Sequence, residues 1–265
     1  MIFTNKTNVS FWNFIKTVLK FIMKLSIIIP VYNEIAQLNK TIKKLISFKK
    51  KLKFELIFID DFSSDGSFAY IKKYKKRFSF IKVFKNKKKG LGSAIETGIK
   101  NSKNDYVCFF MSDLSDDIND LFRYYKTISQ NIKIDAVFGT RFSRKSKVLN
   151  YPHFKLFLNR LANNFIRLIF LSNYNDFTNA FKIYKRKTLI KLLPIVSENF
   201  NVFLELPLKI ITRKYHYKII PINWNGRKTG VSKFKIKEMS SKYIFTLLYC
   251  LLEKILLNKK IKWKF

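Results

Sequence analysis

From Leu25 to Gly139 short apolar runs alternate with helix-like stretches and no long linker intervenes, an alternation that restricts the fold more than any other feature of the chain. The runs are LSIIIPV at 25–31, FELIFID at 54–60, FIKVF at 80–84, YVCFFM at 106–111 and DAVFGT at 135–140. Segments that read as helices lie over about 34–48, 66–77, 90–100 and 117–130. Runs rich in β-branched and aromatic residues with no polar face are strands covered on both sides, and their alternation with helices implies a parallel sheet between helical layers. The expectation is therefore an α/β, Rossmann-like fold, mostly parallel, with helices on both faces. Beyond it, Phe154, Phe157, Leu158, Leu161, Phe165, Leu168 and Ile169 recur at steps of three and four, which predicts an amphipathic helix over 153–171. A second helical stretch around 186–193, the strand YKIIPINW at 217–224 and the polar loop NGRKTGVSK follow.

Two of the strands run out into acids: ELIFIDDFSSDG at 55–66 and YVCFFMSDLSDD at 106–117. The carboxyl edge of such a sheet is where α/β proteins bind ligands. Carboxylates beside a nucleotide diphosphate repel it unless a hard cation stands between, so Mg²⁺ or Mn²⁺ is implied. Adjacent acids on an extended chain point opposite ways, so only one of Asp60 and Asp61 faces a ligand while the other holds its loop. Asp65 reads as a helix cap. Asp116 or Asp117 is accounted for as the cap of the next helix, leaving Asp113 as the candidate metal ligand. In the first loop, PVYNE, Pro30 closes the strand, Tyr32 can stack on a base, and Asn33 or Glu34 caps a helix or reaches a ribose. The glycines Gly90, Gly92 and Gly98 do not fit GxGxxG and suggest close helix-to-sheet packing. Arg141, Lys155, Arg160, Arg227 and Lys233 are the cations that a diphosphate and a second anion would need, although each alone reads as a surface residue.

The chain has 265 residues, with 53 Lys and Arg against 17 Asp and Glu, a formal charge of +36. Part of this follows a bias that inflates Lys, Asn, Ile, Phe and Tyr together, yet the excess leaves a surface that attracts membranes and phosphates. No zinc finger, recognition-helix or RNA-binding signature occurs, so nucleic acid is not an expected partner. Cys108 in a strand and Cys250 in an apolar helix suggest a reducing compartment. FWNFIKTVLKFIM at 11–23 is too short to span a bilayer, which leaves an interfacial amphipathic helix or an over-long start ahead of Met23. KYIFTLLYCLLEKILL at 242–257, broken by Glu253 and Lys254, reads as a helix lying on a membrane or on the protein, and no transmembrane helix is expected. The divisions are an extension over 1–23, a main domain over 24–235 and a carboxyl-terminal amphipathic helix over 236–265.

SIIIPVYNE, IDDFSSDG, GLGSAIETG, FMSDLSDD, GTRF and RKTGVSK, in this order over about 25–240, resemble the GT-A glycosyltransferases of family two, most closely the dolichyl-phosphate and undecaprenyl-phosphate sugar synthases. The resemblance implies a UDP- or GDP-linked sugar donor, a polyprenyl-phosphate acceptor, a divalent metal, inversion at the anomeric carbon, and a cytoplasmic enzyme peripheral on the inner face of the membrane. It sets Pro30, Tyr32 and Glu34 around the nucleoside, Asp61 at the base or ribose with Asp60 beside it, and Ser112 and Asp113 in the donor site, with Asp113 on the metal. Arg141, Lys155 and Asn159 would grip the acceptor phosphate, and Arg227 and Lys233 the donor phosphates; Asp113, Arg141 and Arg227 carry catalysis. Two positions depart from the pattern. Met111 replaces the first acid of Asp-x-Asp, which should weaken metal binding, and Lys155 replaces an Arg, losing its bidentate fork. An anionic phosphate acceptor needs no general base. A saccharide hydroxyl would need one, with Asp176 and Glu205 the candidates, Glu205 otherwise being a packing residue held by a nearby Arg. An inactive nucleotide-sugar-binding homologue is the reading that Met111 alone favours.

Overall fold

The computed structural model describes residues 25–226 and 236–258. The segment 1–23 and the predicted donor-phosphate residues Arg227 and Lys233 lie outside the described residues. The first five sequence-predicted strands are β1 (Leu25–Val31), β2 (Glu55–Asp60), β3 (Ile81–Lys85), β4 (Tyr106–Phe109) and β5 (Ala136–Thr140). The helices between them are α1 (Ile35–Phe48), α2 (Ser67–Arg77), α3 (Leu91–Asn101) and α4 (Ile118–Gln130). Each lies within a residue or two of the span that its periodicity marks. The seven-stranded sheet has the order β3-β2-β1-β4-β7-β5-β8, where β7 is Lys182–Lys185 and β8 is Tyr217–Pro221. Only β7 runs backwards, antiparallel to both β4 and β5.

Side chains alternate strictly across the central strands. Leu25, Ile27 and Ile29 of β1, with Leu56 and Phe58 of β2, pack on one face beneath Leu38, Ile42 and Leu45 of α1 and Leu121, Tyr124 and Ile128 of α4. Ile28, Ile57, Ile59, Val107 and Phe109 point to the other face, under Ala94, Ile95 and Ile99 of α3. A Cβ on Gly98 would sit 2.4 Å from Ile28 Cγ2, and one on Gly92 only 1.7 Å from the Ser197 carbonyl oxygen. The glycines thus let α3 press against the sheet and the 197–198 segment.

Three features were not set by sequence pattern. The four-residue β7 lies in a segment that carries no strand signature of its own. Val202–Thr212 folds as helix α7 with Pro207 inside it, α6 being Arg186–Leu192. The predicted strand 217–224 splits, because β8 ends at Pro221 and Trp224–Asn225 (β9) pairs instead with Val148–Leu149 (β6) in a two-stranded sheet. Helix α5 (His153–Phe170) forms where expected, yet much of its apolar stripe faces outward: Phe154 is 72 %, Phe157 63 % and Phe165 60 % exposed, whereas Ile166 and Phe170 are buried. The carboxyl-terminal helix α8 (Ile236–Asn258) lies on the body of the protein. Its Thr246 bonds Asn201 at 2.9 Å, Glu253 pairs with Arg213 at 2.5 Å, and Lys254 Nζ donates to the Phe170 carbonyl at 2.8 Å. Its far side exposes Ile244, Phe245, Leu248, Leu252 and Leu256. Among the described residues, no helix is long and apolar enough to cross a membrane.

Candidate active site

The β1–α1 and β2–α2 loops are bonded into one floor. Asn33, at φ 51°, donates its N–H to Ser63 Oγ at 3.0 Å and accepts the Ser64 N–H at 2.8 Å. Glu34 donates its N–H to Ser67 Oγ at 3.1 Å. Asp65 caps two helices at once: Oδ2 accepts the N–H of Ile35, which opens α1, at 2.9 Å, and Oδ1 accepts the N–H of Ser67, which opens α2, at 2.9 Å. Partial burial works to raise the Asp65 pKa, but these bonds hold it below the ordinary value. Pro30 is buried near the end of β1, and Tyr32 has the Lys89 ammonium 5.4 Å from its ring centre.

Asp60 and Asp61 divide as alternation requires. Asp61 Oδ1 accepts from Asn86 Nδ2 at 2.8 Å and from the Gly90 N–H at 2.9 Å, so it ties down the β3–α3 loop. Asp60 accepts the Ser63 N–H on Oδ2 at 3.3 Å, while its buried Oδ1 has no hydrogen-bond partner.

Beyond the tip of β4, Ser112 is buried and its carbonyl accepts the Thr41 hydroxyl at 2.6 Å. Asp113 is half-buried and accepts the Ser115 N–H at 3.1 Å, closing a turn in which Leu114 adopts φ 57°. Asp117 caps α4 by accepting the Asn119 N–H at 3.0 Å. Asp116 is not a cap. Its side chain is 5 % exposed, its Oδ1 has no hydrogen-bond partner, and its electrostatic neighbours include Asp113, Arg141, Asp176 and Asp120. Burial first, then the negative charges of Asp113, Asp176 and Asp120, push its pKa up to about 8 against the pull of Arg141. The sequence held a signal for this residue, since one member of an adjacent acid pair that caps a helix leaves the other facing the opposite way.

Arg141, just past β5, is 8 % exposed and committed to Asp176: Nε donates to Oδ2 at 2.9 Å and Nη2 to Oδ1 at 2.6 Å. Burial opposes its charge, but the adjacent Asp176 carboxylate more than compensates and raises its pKa. The rings of Phe142, Tyr151 and Trp224 stand 5.4, 5.7 and 5.6 Å from the guanidinium carbon. Asp176, foreseen as a possible base, is wholly buried as the other half of this pair. Glu205 is also wholly buried; it pairs with Lys209, not with an Arg, at 2.5 Å and accepts the Ser197 N–H at 2.7 Å. Neither has a face toward an incoming hydroxyl. Lys182, which sequence reasoning passed over, is fully buried and donates to the carbonyls of Phe177, Asn179 and Phe203, fastening the loop that carries Asp176. Burial lowers its pKa to about 7 although Asp176 acts to raise it.

The three predicted acceptor residues are not equivalent. Asn159 donates to the Tyr151 hydroxyl at 2.7 Å and accepts from Thr178 at 3.1 Å, so it belongs to the scaffold beside Arg141. Lys155 is exposed on α5, one turn before it. For a metal, no three His, Cys, Asp or Glu side chains converge among the described residues. An orphaned, buried oxygen on Asp116 with Asp113 among its neighbours nonetheless fits a divalent cation that draws most of its shell from phosphate oxygens and water.

Solved structures share this architecture. Glucosyl-3-phosphoglycerate synthase from Mycobacterium tuberculosis, in complex with UDP, matches with a TM-score of 0.65 at 18 % identity over 88 % of this chain and 82 % of that one, which establishes the GT-A fold. The same synthase has been solved with Mn²⁺, UDP and glucosyl-3-phosphoglycerate (TM-score 0.63, 19 % identity). In sequence, the chain is 24 % identical over 220 residues to dolichol-phosphate mannosyltransferase of Pyrococcus furiosus, matching 81 % of this chain but 60 % of that protein, so it spans less than two thirds of that relative's length. It is 25 % identical over 253 residues to dolichyl-phosphate beta-glucosyltransferase of Saccharomyces cerevisiae, across 86 % of this chain and 75 % of that one. Residues 26–193, from β1 through α6 and including both acidic strand ends and Arg141, match the family model, and the chain belongs to glycosyl transferase family 2.

Proposed function

We propose that this glycosyltransferase moves a sugar from a UDP- or GDP-linked donor to a polyprenyl phosphate at the cytoplasmic face of a membrane. The observation that carries the reading is the outward apolar stripe of α5. Phe154, Phe157, Leu161, Phe165 and Leu168 are exposed beside Lys155, Arg160 and Arg167, on a helix whose Asn159 bonds into the scaffold around Arg141. An acceptor with an anionic head and a hydrocarbon tail suits such a surface. The two relatives named for dolichyl phosphate support it as well.

In the reaction an oxygen of the acceptor phosphate attacks the anomeric carbon and the bond from that carbon to the diphosphate breaks. The electron pair leaves with the nucleoside diphosphate, and configuration inverts. No proton must be removed, which agrees with a site whose foreseen bases, Asp176 and Glu205, are already spent on Arg141 and Lys209. Tyr32 offers a face to the base and Asp61, which also ties down the β3–α3 loop, an acceptor to the base or ribose, with Asp60 beside it. Asp113 would hold the divalent cation, which supplies neutralisation of the departing diphosphate. Lys155 meets the acceptor phosphate as a point charge; Arg141, neutralised by Asp176, acts as a positioning residue. Arg227 and Lys233 are assigned to the donor phosphates.

The test is a panel of radiolabelled UDP- and GDP-sugars incubated with protein, Mn²⁺ and membrane lipid extract. Label entering mild-acid-labile lipid is the expected outcome. Label appearing only in polysaccharide overturns the acceptor class in favour of a saccharide hydroxyl.

A further inference from the structure

Asp116 is a buried acid with more like charge than opposite charge around it. Its Oδ1 has no hydrogen-bond partner, and three other acids, Asp113, Asp176 and Asp120, are among its electrostatic neighbours. The nearby cation, Arg141, has already given Nε and Nη2 to Asp176. An orphaned buried carboxylate oxygen is costly, and folded proteins keep such groups where a ligand completes them. The backbone around it is fixed: Asp116 bridges to Trp224, and the Asn225 N–H donates to the Ser115 carbonyl at 2.9 Å. The turn that starts at Asp113 thus returns a second carboxylate from three residues downstream, at an edge where Met111 offers none.

We propose that Asp116 is the second protein ligand of the divalent cation held at Asp113, in place of the acid that position 111 lacks. The inference rests on the reading of Asp113 as a cation ligand and is independent of which acceptor is used. Two carboxylates would leave the remaining positions of a hard cation's shell to diphosphate oxygens and water.

The experiment reads metal binding rather than transfer. Mn²⁺ affinity is measured by electron paramagnetic resonance in the presence of UDP, and in parallel GDP, for the parent, Asp116→Asn and the double variant Met111→Asp/Asp116→Asn. Asp116→Asn should weaken Mn²⁺ binding at least as much as loss of an outer partner does, about 10- to 100-fold, and the carboxylate restored at 111 should recover most of it. Parent-like Mn²⁺ affinity in Asp116→Asn, or no Mn²⁺ binding by the parent, overturns the proposal. Should Asp116→Asn not fold, crystals of the parent grown with Mn²⁺ and UDP decide. Anomalous density within about 2.1–2.3 Å of both carboxylates supports it, and an ion on Asp113 alone overturns it. A chain that binds Mn²⁺ through Asp116 yet labels only polysaccharide keeps this inference and loses the polyprenyl acceptor.

Discussion

Asp113, Asp116 and Asp117 lie within five residues and meet three different environments, so substitutions there should separate function from stability. Asp113→Ala is expected to abolish transfer, measured as label entering lipid at equal protein concentration. Asp117→Ala should retain transfer and lose about 1 kcal/mol in urea unfolding, the worth of a helix cap. Parent-level transfer by Asp113→Ala would remove that residue from the mechanism. Asp176→Asn leaves the Arg141 guanidinium buried without its counter-charge, and breaking a buried pair from one side costs about 3–5 kcal/mol. A urea midpoint unchanged from the parent would contradict the pairing. The acids on the β2 and β4 loops were legible because strand alternation and capping rules act over a few residues. The surroundings of Arg141 were not: Tyr151, Asp176 and Trp224 arrive from three separate segments, and no local rule brings them together.

Helix α5 shows what periodicity leaves out. Steps of three and four identify the stripe from Phe154 to Leu168 but say nothing of which way it turns, which is settled by Asn163, Ile166 and Phe170 taking the inner face. Because the stripe is exposed, Phe157→Ser with Phe165→Ser should leave unfolding free energy within about 0.5 kcal/mol of the parent. Co-sedimentation with anionic lipid vesicles should fall markedly, and undiminished sedimentation would take α5 out of the membrane-facing surface. Strands β1, β2, β4 and β5 were readable because both faces of each are covered, giving nearly continuous apolar runs. β7 was not, since four residues of mixed character in KIYK become a strand only when β4 and β5 supply hydrogen-bonding edges on both sides. The apolar run of α7 is similarly ambiguous by pattern alone, all the more with Pro207 inside it.

At the scale of the whole molecule, the sheet is latched at the edge remote from the site. Glu55 opens β2, accepts the Ser26 hydroxyl at 2.6 Å and the Lys103 N–H at 3.0 Å, and pairs with Lys82. Burial raises its pKa, but these bonds together bring it below the ordinary value of 4.5. The folded state therefore binds fewer protons than the unfolded chain here, so the contribution is complete above that value and is lost as pH falls through the lower folded pKa. Urea midpoints measured from about pH 6 down to pH 3 should decline, and Glu55→Gln should flatten the decline; an identical slope in that variant would exclude the latch. The reversed strand has a consequence for synthesis. β7 is translated after β4 and β5 yet lies between them, so a growing polypeptide cannot join β5 to the sheet before Lys182–Lys185 has been made. Until it is made, the edges of β4 and β5 that it bridges have no strand to pair with.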